Sequence, residues 1–93
     1  GPPPEFPGVV AFRSLQVSAA PEALAAALGG TGTVIETVLG GAQVVALIQP
    51  LRGGAAGLHL LAPEGSDPAA LDALSAEVEA LRRRVEAAEE MTA

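Results

Sequence analysis

The chain has 93 residues, is 49% hydrophobic and has a formal net charge of −6, which is enough chain for one domain and not for two. It contains no cysteine, so disulfide bonds, thiolate nucleophiles and cysteine-based zinc sites are excluded. The negative charge disfavours nucleic acids and anionic membranes as partners, no apolar run approaches the ~18 residues of a membrane span, and a cytoplasmic protein is expected.

The first eight residues, 1–8, contain four of the eight prolines of the chain. This composition is typical of an extended, polyproline-like arm, which we expect to be disordered. Gly1 and Pro2 also match the pair that a common fusion-tag protease leaves behind, so part of the arm is expected to be a tag remnant. A proline-rich ligand for a partner domain is the alternative. The folded domain is expected to span residues 9–93.

A strand and a short helix are predicted next. Residues 9–17, VVAFRSLQV, are apolar with β-branched residues at both ends, which is typical of a strand. The stretch 18–30 contains a helix of two to three turns, because Pro21 suits its first position and the Gly29-Gly30 pair ends it.

Three apolar runs follow, at 33–39, 42–51 and 55–62, and two Gly-Gly pairs separate them. A Gly-Gly pair between such runs is typical of a two-residue hairpin turn, because these turns need positive φ angles. The sequence therefore predicts a three-stranded antiparallel meander with turns at Gly40-Gly41 and Gly53-Gly54.

A long helix is predicted to close the chain. Asp67 supplies an N-cap carboxylate, Pro68 suits the first helical position, and the helix can run to about Met91. The expected fold is α+β in the order β-α-β-β-β-α. Its antiparallel sheet combines the meander with the N-terminal strand.

The register that two-residue turns impose assigns each strand residue to one face of the sheet. One face then contains Ile35, Leu39, Val44, Ile48 and Leu61, with Thr33, Thr37 and His59. The other contains Val34, Val38, Val45, Leu47, Leu58 and Leu60, with Glu36, Gln43 and Gln49. Because both faces are apolar, either each helix covers one face, or both helices cover one face and a protein covers the other. We expect the second arrangement, with the six apolar residues of the second face as interface.

The predicted closing helix has its own apolar stripe. At alternating spacings of three and four residues, the stripe contains Leu71, Leu74, Val78, Leu81, Val85 and Ala88. Either it packs on the protein's own sheet, or it forms the seam of a parallel coiled coil. In a coiled coil, Glu77 would meet Arg82 of the second copy, and Arg84 would meet its Glu89. These four residues are the second predicted interface.

Residues that could carry chemistry are few. His59 is the only histidine, and no nucleophile, carboxylate or further metal ligand is predicted beside it. The glycine-rich stretch 29–33 follows a helix and enters a strand, the reverse of a phosphate-binding loop. We therefore predict no catalytic, cofactor-binding or metal-binding residue. The lack of Lys, Asn and Tyr beside abundant Ala, Gly, Pro and Arg indicates GC-rich codons, as in a high-GC bacterium.

In element order, residues 18–90 resemble the roadblock/dynein light chain domain. The segments concerned are PEALAAALGG, VIETVLGGAQVVALIQPLRGGAAGLHLL and DPAALDALSAEVEALRRR. The resemblance implies a homodimer or heterodimer that serves small GTPases, motors or scaffolds. The family's opening helix is absent here, and one strand instead of two precedes the first helix, so no functional residue is carried over.

The predicted function is a non-enzymatic dimerisation or scaffold module whose partner is a second copy, another protein, or both. Two alternatives remain. One is a regulatory domain of the ACT type, which would hold a small molecule at a dimer interface. The other is an accessory subunit that docks its apolar sheet face on a larger enzyme.

Overall fold

The computed structural model describes residues 6–92, so the disorder predicted for residues 1–5 lies outside the described residues. The elements in chain order are β1 (Val9–Val17), α1 (Pro21–Ala27), β2 (Val34–Leu39), β3 (Ala42–Pro50), a single 3-10 turn (Arg52–Gly54), β4 (Ala56–Pro63) and α2 (Pro68–Thr92). The predicted α+β order is confirmed, and the first strand has the predicted bounds.

The four strands form one antiparallel sheet in the order β1-β4-β3-β2. Both helices lie on one face, because the core combines residues of α1 and α2 with alternate residues of the strands. This core contains Val17, Leu24, Leu28, Ile35, Leu39, Val44, Ala46, Ile48, Leu58, Leu60, Leu74, Val78, Leu81 and Val85, among others. The alternative with one helix on each face is therefore wrong.

Helix α2 begins as predicted and crosses the helix-covered face of the sheet. The Asp67 carboxylate accepts a hydrogen bond of 2.8 Å from the amide of Ala70, which satisfies one amide of the first helical turn. Four residues of the predicted stripe, Leu74, Val78, Leu81 and Val85, are buried in the core. The stripe packs on the protein's own sheet, so it is not exposed as a coiled-coil seam.

The first hairpin has the predicted register, with Leu39 opposite Ala42 and Ile35 opposite Ala46. Gly40 and Gly41 form the turn with φ angles of 57° and 80°, which residues with a Cβ rarely adopt.

The second hairpin differs from the prediction by one residue. Its connection is the five-residue segment 51–55, closed by a hydrogen bond of 2.9 Å from the amide of Leu51 to the carbonyl of Ala55. Ile48 therefore lies opposite Leu58 instead of His59. The predicted register would have buried His59 under the helices, whereas the observed one buries leucines there.

This shift exchanges the faces of every residue in β4. Leu58 and Leu60 are each 1% exposed in the helix-covered core, so their predicted place on the uncovered face is wrong. Leu61 and His59 take that place instead, opposite Val45 and Leu47 of β3.

Candidate functional site

The face of the sheet that neither helix covers, called the open face here, is the candidate site. Side chains alternate between the two faces along each strand. The open face is formed by Val9, Ala11, Ser14 and Gln16 of β1, Val34, Glu36 and Val38 of β2, Gln43, Val45, Leu47 and Gln49 of β3, and Gly57, His59, Leu61 and Pro63 of β4.

Apolar side chains occupy much of this face. Val34 and Val38 on the edge strand β2 are 48% and 60% exposed. Leu47 and Leu61, near the middle of the sheet, are half-buried, while Val45 between them is buried. Four of the six predicted apolar interface residues therefore lie together on this face, as the first hairpin required.

The open face carries a single charged side chain within the described strands, that of Glu36. Arg13 of β1 points to the other side, because a bulge between Ala11 and Arg13 shifts the alternation of the strand. There it donates a hydrogen bond to Glu79 of α2. The remaining charges of residues 6–92 lie on the helices and loops.

His59 of the inner strand β4 forms a polar cluster on the open face with Ser14 of the edge strand β1 and with Gln49 of β3. The Ser14 hydroxyl lies 2.8 Å from Nδ1 of His59, and the Gln49 side-chain oxygen lies 3.2 Å from Nε2. Because an amide oxygen only accepts, Nε2 carries the ring proton in this arrangement and Nδ1 accepts the hydroxyl proton.

The cluster contains one contact that the sequence does not predict, between the Ser14 hydroxyl and the ring nitrogen of His59 that accepts its proton. The group that orients the ring is a neutral amide, whereas hydrolases of this type use a carboxylate. Both ring nitrogens have partners, so the imidazole lies beside Leu47 without an unpaired polar atom. No motif signals this cluster, because its members come from three strands and meet only through the observed register.

A groove of about 600 Å³ lies at the end of the open face where β1 begins. Its apolar lining includes Phe6, Val38 and Val45, and its polar lining includes Glu36 and Gln43. Phe6 belongs to the segment predicted as a disordered arm. Its carbonyl accepts a hydrogen bond of 3.4 Å from the amide of Val9, so this part of the arm turns at the start of β1.

The charged residues predicted for a coiled-coil interface lie on α2, away from the open face. Arg82 is 3.7 Å from carboxylate oxygens of both Glu79 and Glu86 within the same helix. Glu77 and Glu89 are half-buried, and Arg84 is exposed. The structure does not bring these residues together with the apolar interface residues.

The ion pair between Glu79 of α2 and Arg13 of β1 changes the titration of the Glu79 carboxyl group. The hydrogen bond from Arg13 holds the pKa of Glu79 below its usual value; partial burial opposes this effect, and the positive charges of Arg82 and Arg83 reinforce it. This ion pair joins the first strand to the last helix.

Within residues 6–92, no three His, Cys, Asp or Glu side chains are grouped to hold a metal ion. In the same part of the chain, neither helix combines the length and apolarity needed to cross a membrane. Comparisons of the chain with protein-family models, curated proteins and solved structures found no match, so the resemblance in element order stays a prediction.

Proposed function

We propose that this protein is a non-enzymatic interaction module that forms a homodimer through its open face. The distribution of charge carries the proposal. Glu36 is the one charge of that face among the described strands, while Val34 and Val38 remain about half exposed. Depletion of charge around exposed apolar residues distinguishes the centre of a protein interface from ordinary surface.

The size of the face determines how strong such a dimer can be. Four strands spaced ~4.8 Å apart and ~26 Å long give each copy a face of roughly 500 Å². Two copies would then bury about 1,000 Å² in total, at the lower limit for a specific interface. We therefore expect a reversible dimer whose population depends on concentration in the micromolar range.

Packing of two open faces gives a sandwich in which the helices remain on the outside. Stacked sheets pack about 10 Å apart with their strands about 30° from parallel, which leaves Leu47, Leu61 and Val45 near the centre. The cluster of His59, Ser14 and Gln49 has its internal hydrogen bonds already formed, which lowers the cost of covering it.

The proposal is tested with Leu47→Glu, which puts a charge in the middle of the open face. A second open-face variant, Val34→Glu, has Val10→Glu as its matched control, because the two valines are 48% and 47% exposed. Val10 lies opposite Ala62 and so belongs to the helix-covered side of the sheet. Sedimentation velocity over micromolar to millimolar concentrations gives the mass of each variant, and far-UV circular dichroism checks its folding.

We expect Leu47→Glu and Val34→Glu to be folded and to lose association through the open face, and Val10→Glu to associate through that face like the parent. Equal masses for all three variants and the parent would contradict a dimer through the open face. A parent that stays monomeric would leave another protein as partner of this face, as in the accessory-subunit alternative.

The groove beside Phe6 favours a second candidate, a regulatory domain that binds a small apolar molecule. Its volume lies within the ~300–1,000 Å³ of ligand pockets, and Glu36 and Gln43 supply polar contacts. A hydrophobic amine is the matching chemistry. Calorimetry with an alkylamine tests this candidate, and loss of binding in Glu36→Gln would support it. If the alkylamine gives the parent no more heat of binding than an alkyl alcohol does, this candidate is excluded.

A further inference from the structure

Strand β2 lies at the edge of the sheet, and its peptide groups point alternately inward and outward. Leu39 and Ala42 flank a two-residue turn and therefore exchange hydrogen bonds. Counting back from Leu39 in steps of two shows that the peptide groups of Thr37, Ile35 and Thr33 also point toward β3. The bond of 2.8 Å from the amide of Ile48 to the carbonyl of Thr33 agrees with this count.

The peptide groups of Val34, Glu36 and Val38 consequently point away from the sheet. Within residues 6–92, none of the hydrogen bonds outside the strands and helices involves these groups. Three amides and three carbonyls thus form a regular row along a strand of six residues. Such a row is a template for pairing with another strand.

The two edges of the sheet differ in how well they are protected against pairing. The β1 edge contains the bulge between Ala11 and Arg13 and a cationic side chain, both of which discourage strand addition. The β2 edge has an uninterrupted register, no proline and no cationic residue. Glu36 is its single charge.

We propose that β2 pairs antiparallel with β2 of a second copy, about a two-fold axis at Thr37. Any symmetric pairing must match outward peptide groups with outward ones. An axis at Glu36 would place two carboxylates directly opposite each other, which is unfavourable. An axis at Thr37 instead pairs Glu36 with Val38 of the second copy.

The core side of the strand supports the same axis. Thr37 lies opposite Val44, and its side chain is on the helix-covered side of the sheet. The side chains of Ile35 and Leu39 are on the same side. An axis at Thr37 places Ile35 beside Leu39 of the second copy, which continues the apolar core across the edge. It also places the two Thr37 side chains together, a favourable cross-strand pair. The interface is the strand edge, so it does not depend on the proposed dimer through the open face.

Opposite charges at position 37 test the axis. Thr37→Lys and Thr37→Glu each place like charges face to face in the paired strands, and we expect roughly fivefold or greater weakening of association for each variant alone. An equimolar mixture should recover the parent's association, because the charges are then opposite. Sedimentation velocity at low salt measures the association of each variant and of their mixture. Position 37 is not on the open face, so association through that face would be unaffected.

Unchanged association of both variants would overturn the edge interface, and weakening without recovery in the mixture would overturn the axis at Thr37. Amide hydrogen exchange of the parent needs no variant. The amides of Glu36 and Val38 should exchange more slowly as protein concentration rises, while the inward amide of Thr37 remains protected throughout. Exchange of Glu36 and Val38 that is fast at every concentration would overturn the proposal, even if a dimer through the open face forms.

Discussion

Gly40 meets two structural requirements at one position. Its φ angle is 57°, and a Cβ placed on it would lie 2.9 Å from the carbonyl oxygen of Ala73 in α2. The neighbouring Gly41 has a φ angle of 80° but nothing within 4 Å of an added Cβ. Gly40 therefore serves both the turn and the contact between the hairpin and the helix, while Gly41 serves the turn alone.

Alanine substitutions separate these two requirements. Gly41→Ala should cost about 1–2 kcal/mol of unfolding free energy, the strain of positive φ in a residue with a Cβ. Gly40→Ala should cost about 1–3 kcal/mol more, because the methyl group overlaps a backbone atom and the helix must shift. Urea unfolding of both variants measures the difference. Equal losses would mean that α2 does not approach the turn this closely.

The ion pair between Arg13 and Glu79 predicts a pH dependence of stability. The pKa of Glu79 is lowered in the folded protein, mainly by the hydrogen bond from Arg13. Its contribution is therefore complete above the unfolded-state pKa of ~4.3 and is lost as the pH falls through the lower folded-state pKa.

The variant Glu79→Gln should remove this pH-dependent contribution to stability. The parent's melting temperature should fall more steeply than the variant's between about pH 5 and pH 3, since only the parent must protonate a paired carboxylate. Glu90→Gln, which changes an exposed carboxylate of the same helix, is the control and should follow the parent. Parallel profiles of parent and Glu79→Gln would contradict the pairing.

At the scale of elements, the first Gly-Gly hairpin has the register predicted from the sequence, and the second does not. Both pairs have the positive φ angles that the sequence predicts, and the hairpin at Gly40-Gly41 has the predicted register. At Gly53-Gly54, the flanking residues 51–52 and Ala55 also leave the strands, which the glycines do not reveal. Composition signals the kind of turn, but loop length depends on which register buries leucine instead of histidine.

For the same reason, the sequence predicts only part of the candidate site. The first hairpin correctly grouped Val34, Val38, Val45 and Leu47, because it depends on local turn chemistry alone. The contact between Ser14 and His59 depends on the non-local pairing of β1 with β4. The bulge in β1 adds a residue that no local pattern signals.

The register of β3 and β4 predicts different costs for two adjacent leucines. Leu60→Ala should cost about 2–5 kcal/mol, because Leu60 is 1% exposed in the core. Leu61→Ala should cost only about 1 kcal/mol, because Leu61 is half-buried on the open face. Urea unfolding at concentrations where the protein is monomeric measures both. The opposite order would support the register of a two-residue second turn.

The whole molecule is a flat, two-layer structure with Cα extents of 40 × 34 × 19 Å. Its helix layer carries most charges of the described residues, and its sheet layer ends in a nearly neutral face. A chain of this size buries only about 60–65% of its unfolded surface, so apolar area remains outside one core. Association through the open face and through β2 would cover different parts of that area.

The two proposed interfaces together predict a closed assembly. Antiparallel pairing of β2 places a two-fold axis perpendicular to the sheet, whereas stacking of open faces needs an axis between the sheets. If these perpendicular axes intersect, they generate a D2 tetramer, whose mass is four times 9.2 kDa. Leu47→Glu should leave dimers joined at β2, and Thr37→Lys should leave dimers joined at the open face. The double variant should be a monomer, because each charge blocks one interface. Analytical ultracentrifugation of the four proteins at one high concentration distinguishes these masses. If either single variant is already monomeric, its interface alone holds the assembly and the other does not form.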